Sequence, residues 1–167
     1  NYTPQQEDII NYIKVNEGLV KVNAVAGAGK TTLLVGIAKE VDPKTGMYLA
    51  YNKSIATESK AKFPKSIDCR TTHSLAYGAT VRPYKLFLGH FGYKEIKENI
   101  SYPNKVLLLE YLKQFCLSEH TSFTEFAHKF GDISEFQIKI VNQYLERMAT
   151  GEIQCTHDFY LKYYHML

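Results

Sequence analysis

Ten residues, Asn23–Thr32 (NAVAGAGKTT), constrain this chain more than any other stretch. Leu19–Val25 is apolar and partly alternating, which predicts a short strand. Lys30–Val41 (KTTLLVGIAKEV) carries apolar residues at helical spacing. Between them AGAG offers no side chain larger than a methyl group. Backbone N–H groups of Gly27, Ala28, Gly29 and Lys30 can therefore converge at a helix N-terminus, where the helix dipole favours an anion. Strand, glycine loop and helix in that order predict an α/β arrangement with a phosphate-sized cradle at its turn.

The spacing A-x-x-x-x-G-K-T, with Ala24 where glycine is usual, is that of a Walker A loop. Its residues Ala26, Gly27, Ala28, Gly29, Lys30, Thr31 and Thr32 become candidates for holding ATP. Lys30 would bridge the β- and γ-phosphates and the Thr31 hydroxyl would help hold magnesium, so these two carry the expected catalytic roles. Such a site also needs a carboxylate at the end of a second strand. The superficial match is Val106–Glu110 (VLLLE), but Val106, Leu109, Leu112 and Leu117 form a helical stripe around it. Glu110 therefore reads as an exposed helix residue, and the chain shows half of an ATPase site.

Composition narrows the class. The 167 residues are 45% hydrophobic and 22% charged, which suits a globular unit with a real core. Three cysteines in no repeated spacing argue against a disulfide framework and for a reducing interior. No apolar run approaches ~18 residues, so neither a membrane span nor a signal peptide is expected. The net charge of +3 is uneven: Lys53, Lys60, Lys62, Lys65 and Arg70 face only Glu58 and Asp68, while the flanking stretches balance. This basic strip is either a solvated face or a phosphate-backbone contact.

Other segments extend the pattern. Thr3 and Pro4 open a helix as cap and first-turn residue. Residues 46–64 (GMYLAYNKSIATESKAKFP) read as strand, turn and basic helix, and SIDCRTTHSLAYG as a third strand entering a Thr/Ser-rich turn. In order, these patches and the Walker A loop resemble the Q motif, motif I, motif Ia and motif Ib of superfamily 1 DNA helicases of the UvrD/Rep type. YNKSIA and TTHSLAYG look closest to the F-box DNA helicase branch, and THDFYLK (Thr156–Lys162) resembles a segment preceding its Walker B strand.

The resemblance implies an α/β P-loop NTPase (RecA-like) fold, a partial parallel sheet with a mainly helical inserted subdomain. It implies residues 1–82 as the first part of the ATP-binding domain, 83–153 as the helical insertion and 154–167 as a return toward Walker B. Gln6 would read the adenine edge, since an amide both donates and accepts. Tyr51, Asn52 and Lys53 would approach single-stranded DNA, Tyr51 by stacking, with a packed core tyrosine as the alternative. Thr71, Thr72 and His73 match motif Ib, although Thr72 replaces a common phenylalanine, which leaves hydroxyl and backbone contacts there rather than stacking.

The implied protein is a cytoplasmic ATP-dependent helicase, nucleoid-associated if bacterial or phage, acting on single-stranded DNA and single/double-strand junctions. The missing carboxylates and a second RecA-like domain would follow Leu167, so this piece alone is expected not to turn over ATP. Two other readings stay open: a self-contained phosphotransferase using Glu110, and a non-catalytic nucleotide-binding module.

In the insertion, three helices are expected over KVLLLEYLKQFCLS, SFTEFAHKFG and SEFQIKIVNQYLERMATG. Ser122 with Glu125 fits a capping box, Ser134 is a further cap, and Gly131 and Gly151 are stops. Leu112, Phe115, Phe123, Phe126 and Phe130 read as its core. Cys116, His120 and His128 lack the second ligand pair of a zinc site.

Overall fold

The computed structural model describes residues 2–167. It divides into two compact units, one up to Thr72 and one from His73 to Leu167. This boundary lies ten residues before the one expected at 82/83, and residues 154–167 belong to the second unit. Among the described residues no helix is long and apolar enough to cross a membrane.

The first unit begins with helix α1, Pro4–Val15, closed by a full capping box between Thr3 and Gln6. Helix α2, Lys30–Val41, follows the glycine loop. Strand β1, Gly46–Ala50, helix α3, Lys53–Lys62, and strand β2, Ile67–Thr71, form a parallel crossover with Gly46 opposite Ile67 and Ala50 opposite Thr71. A small core of Ala38, Phe63 and Cys69 joins α2 to this pair, and Tyr48 stacks on Phe63 at 4.7 Å. Gly36 of α2 lies so close to the Tyr2 ring that a Cβ there would stand 2.7 Å from it.

Leu19–Val25 is not a strand. It runs as irregular exposed chain, with Leu19 fully accessible. A strand is stabilised by its ladder and by cross-strand packing, and β1 takes its ladder bonds from β2 alone among the described residues. Propensity without a partner does not make an extended ladder.

The second unit holds the larger core. It begins one residue into the short helix α4, Thr72–Ala76, which runs into a π-helical turn at Tyr77–Val81 and a short helix α5, Arg82–Tyr84. The expected Thr/Ser-rich turn is therefore helical. Thr80, fully buried, donates its hydroxyl to the Ala76 carbonyl at 2.7 Å inside this wider turn. Strand β3, Phe87–Leu88, pairs in parallel with β4, Gln154–Cys155. The main helices are α6, Tyr102–Leu117, α7, Phe123–Phe130, α8, Glu135–Ala149, and α9, His157–Met166. Their apolar faces meet in one cluster centred on Phe115, Phe123, Val141, Met148 and Phe159. The buried face of α6 is Leu108, Tyr111, Leu112 and Phe115, while Val106 and Leu117 of the expected stripe are exposed, as is Phe130 of α7.

Candidate functional site

The loop before α2 is shaped by two glycines in the left-handed region, Gly27 at φ 80° and Gly29 at φ 74°, which a residue without a Cβ adopts at least cost. The Ala28 N–H donates to the Val25 carbonyl at 3.3 Å and closes the turn. Gly29 is the cap residue of α2 and supplies no side-chain acceptor. The first-turn N–H groups of α2 are thus left for an outside acceptor at the positive end of the helix. Lys30 folds back over the loop, its Nζ donating to the carbonyls of Ala24 at 3.1 Å and Val25 at 2.8 Å. Thr31 is half-buried, while Ala26, Ala28, Lys30 and Thr32 are exposed.

Gln6 reaches this loop. A Cβ built on Gly29 would stand 2.9 Å from the Gln6 Nε2. The Gln6 Oε1 accepts from the Thr3 N–H at 3.0 Å, so the capping box fixes the amide. Sequence placed Gln6 in the first helical turn, and the fold brings it against the glycine loop.

The other candidates sit around α3 and β2. Tyr51 is 92% exposed, so the packed-core alternative for it does not hold. The Asn52 side chain caps α3 by accepting from the Ile55 N–H at 2.9 Å. Lys53 is exposed, Thr71 ends β2 half-buried, and Thr72 is exposed. In the basic strip Lys62 pairs with Glu58 and Arg70 with Asp68. Lys53, Lys60 and Lys65 carry its remaining positive charge. Glu110 lies exposed in α6, where it accepts from Gln114 at 2.9 Å.

In the second unit His73 belongs to an aromatic group that the sequence did not reveal. Its ring stands 6.0 Å from that of Tyr160 at 89°, and the Tyr77 ring stands 6.1 Å from Tyr160 at 85°. His157 lies 5.4 Å from the same ring, with its Nδ1 3.2 Å from the Tyr160 hydroxyl. Tyr160 is 3% exposed, and burial, then the nearby Tyr77, Cys155 and Asp158, pushes its phenol up from the ordinary range. Tyr77 and Tyr160 fell within the quoted patches TTHSLAYG and THDFYLK, yet nothing in either patch signals that they meet.

A second surprise is Lys162, 2% exposed, whose Nζ donates to the Ser118 carbonyl at 2.7 Å and sits 4.5 Å from the centre of the Phe115 ring. Burial lowers its pKa, partly offset by the nearby Cys116. It ties α9 to the C-terminal end of α6.

Known proteins share sequence with part of the chain, two F-box DNA helicases among them. The F-box DNA helicase 1 of Gallus gallus is 38% identical over 84 residues, which is 50% of this chain and 8% of that protein. The F-box DNA helicase protein 1 of Schizosaccharomyces pombe is 38% identical over 78 residues, 46% of this chain and 9% of that protein. The chain is related, over about half its length, to F-box DNA helicases. It spans less than a tenth of the length of these relatives. No protein-family model and no solved structure matches it.

Proposed function

We propose that this chain is part of an ATP-dependent DNA helicase or translocase of the UvrD/Rep type, with a P-loop, RecA-like ATP-binding fold in its first unit. The observation that carries the reading is the junction of Gly27, Gly29 and Lys30 at an uncapped helix N-terminus. The residues fit a nucleotide's phosphates: donors without a side-chain cap, no Cβ on Gly27 or Gly29, and a cation held among the described residues by neutral carbonyls. Lys30 exchanges the Ala24 and Val25 carbonyls for charge-assisted bonds to phosphate oxygens, which are about twice as strong as neutral ones. Ala26–Thr32 cradle the phosphates, Thr31 offers its hydroxyl to magnesium, and Gln6 meets the adenine edge. Bound Mg·ATP supplies the hydrolysis energy for movement along DNA.

Tyr51, Asn52, Lys53, Thr71, Thr72 and His73 contact single-stranded DNA near single/double-strand junctions, in cytoplasm or nucleoid. The remaining helicase chain, including a second RecA-like domain, is the partner that completes catalysis. No observation favours Glu110 as a magnesium ligand.

Titration of a fluorescent ATP analogue with magnesium tests the nucleotide half. Lys30→Ala should weaken binding roughly 10–100-fold, the worth of one hydrogen bond to a charged group. Equal affinities in the two proteins would overturn it.

A further inference from the structure

We infer that Tyr77 and His157, seated on Tyr160 beside His73, form a base-stacking platform for single-stranded DNA in the second unit. The inference rests on the helicase reading, which supplies the DNA, but its residues lie outside the six contacts assigned above except for His73. His73 and Tyr77 are four residues apart, the spacing that places side chains on one helical face. Both rings meet Tyr160 near a right angle, and His157 meets it at 64°. None of the three is stacked face to face on Tyr160, and of the three Tyr77 and His157 are exposed to solvent.

The contrast with the rest of the unit is direct. Phe115, Phe123 and Phe126 spend their rings on each other inside the core. Tyr77 is 38% exposed and His157 is exposed. The buried Tyr160 ring contacts both, and the 3.2 Å approach of its hydroxyl to His157 fixes that ring before any ligand arrives. A preformed aromatic surface binds with little ordering cost. The neighbouring Asp158 disfavours phosphate at this spot, so the platform takes bases, whose π-faces any sequence offers.

Fluorescence anisotropy with labelled oligo(dT) and with an abasic oligonucleotide of equal length tests it on the whole chain. Tyr77→Leu and His157→Leu should each weaken oligo(dT) about tenfold, within the range of one lost stack. Tyr77→Phe should leave affinity unchanged, and the abasic strand should bind Tyr77→Leu as well as it binds the parent. On the unaltered protein, iododeoxyuridine in the strand should photo-crosslink to Tyr77 or His157. Unchanged oligo(dT) binding in both Leu variants overturns the platform and leaves the helicase reading intact. Equal losses on the abasic strand, or crosslinks mapping only elsewhere, also overturn it. If the parent binds the ATP analogue but no oligo(dT), the DNA half of the helicase reading fails and the platform with it.

Discussion

Cys155 shows how burial of one side chain writes itself into the pH profile. It is fully buried at the end of β4, and burial pushes its thiol up from 9.0 to about 11. Cys116 is pushed further, to about 12, again by burial first, then by Asp158. In the unfolded chain these thiols ionise near their ordinary value, while the folded protein keeps them protonated. The unfolded state therefore binds fewer protons above pH 9, and stability is lost as pH rises toward the folded values. Each unit of pH between 9 and 11 removes about 1 kcal/mol through Cys155. Lys162 acts in the opposite sense, since its lowered pKa means that its burial penalty is relieved as pH rises toward 10.5. A raw profile mixes the two, so the informative quantity is the difference between the parent and Cys155→Ala in urea unfolding. That difference should shrink by roughly 2 kcal/mol between pH 8 and pH 11. A gap that stays constant would mean that burial does not hold this thiol protonated.

Turns and caps decide where the elements of the second unit stop. Gly151 follows α8 at φ 73°, and a Cβ there would stand 2.7 Å from the Lys85 carbonyl oxygen, next to the start of the β3–β4 pair. Backbone cannot swing aside as a flexible side chain would. Gly151→Ala should cost about 1–3 kcal/mol in chemical denaturation, the price of a strained non-glycine position. Gly78 is the control: it has no positive φ and open space where a Cβ would go, so Gly78→Ala should be neutral or slightly stabilising. Similar losses in both would refute the steric account.

Such stops were readable in sequence, because a left-handed glycine after an apolar stripe has a local cause. Thr3, Pro4 and Ser134 were readable for the same reason, though the reciprocal boxes formed at Thr3–Gln6 and Ser134–Gln137, while at Ser122 only the Glu125 N–H is accepted. Elements whose state depends on distant neighbours were not readable. Leu19–Val25 has strand propensity but no ladder, and the face that α6 buries, Leu108 to Phe115, is set by α8 and α9. The glycine loop could be read from its spacing; its closeness to Gln6 could not. Nor could the Tyr160 group, which joins residues 73–77 to 157–160 across most of the second unit.

The two units differ in what holds them together. The second shares one continuous core drawn from its four long helices, whereas the first rests on Ala38, Phe63 and Cys69 and leaves Leu19, Val25, Met47 and Leu49 exposed. Hydrophobic burial is the main term opposing chain entropy, so local opening should be far easier in the first unit. Native-state hydrogen exchange should find β1, β2 and α2 amides exchanging well before those of α6 and α8. The same measurement connects stability to the proposed nucleotide site. A ligand that binds only the folded first unit stabilises it by about 2.7 kcal/mol at a hundred times its dissociation constant, close to a 100-fold slowing of exchange through opening of that unit. Saturating Mg·ATP should therefore slow exchange in α2, β1 and β2 and leave α6 and α8 as they were, and Lys30→Ala should abolish the slowing. Uniform slowing across both units would place the nucleotide's effect outside the glycine loop, and no slowing at all would remove the loop's claim to bind it.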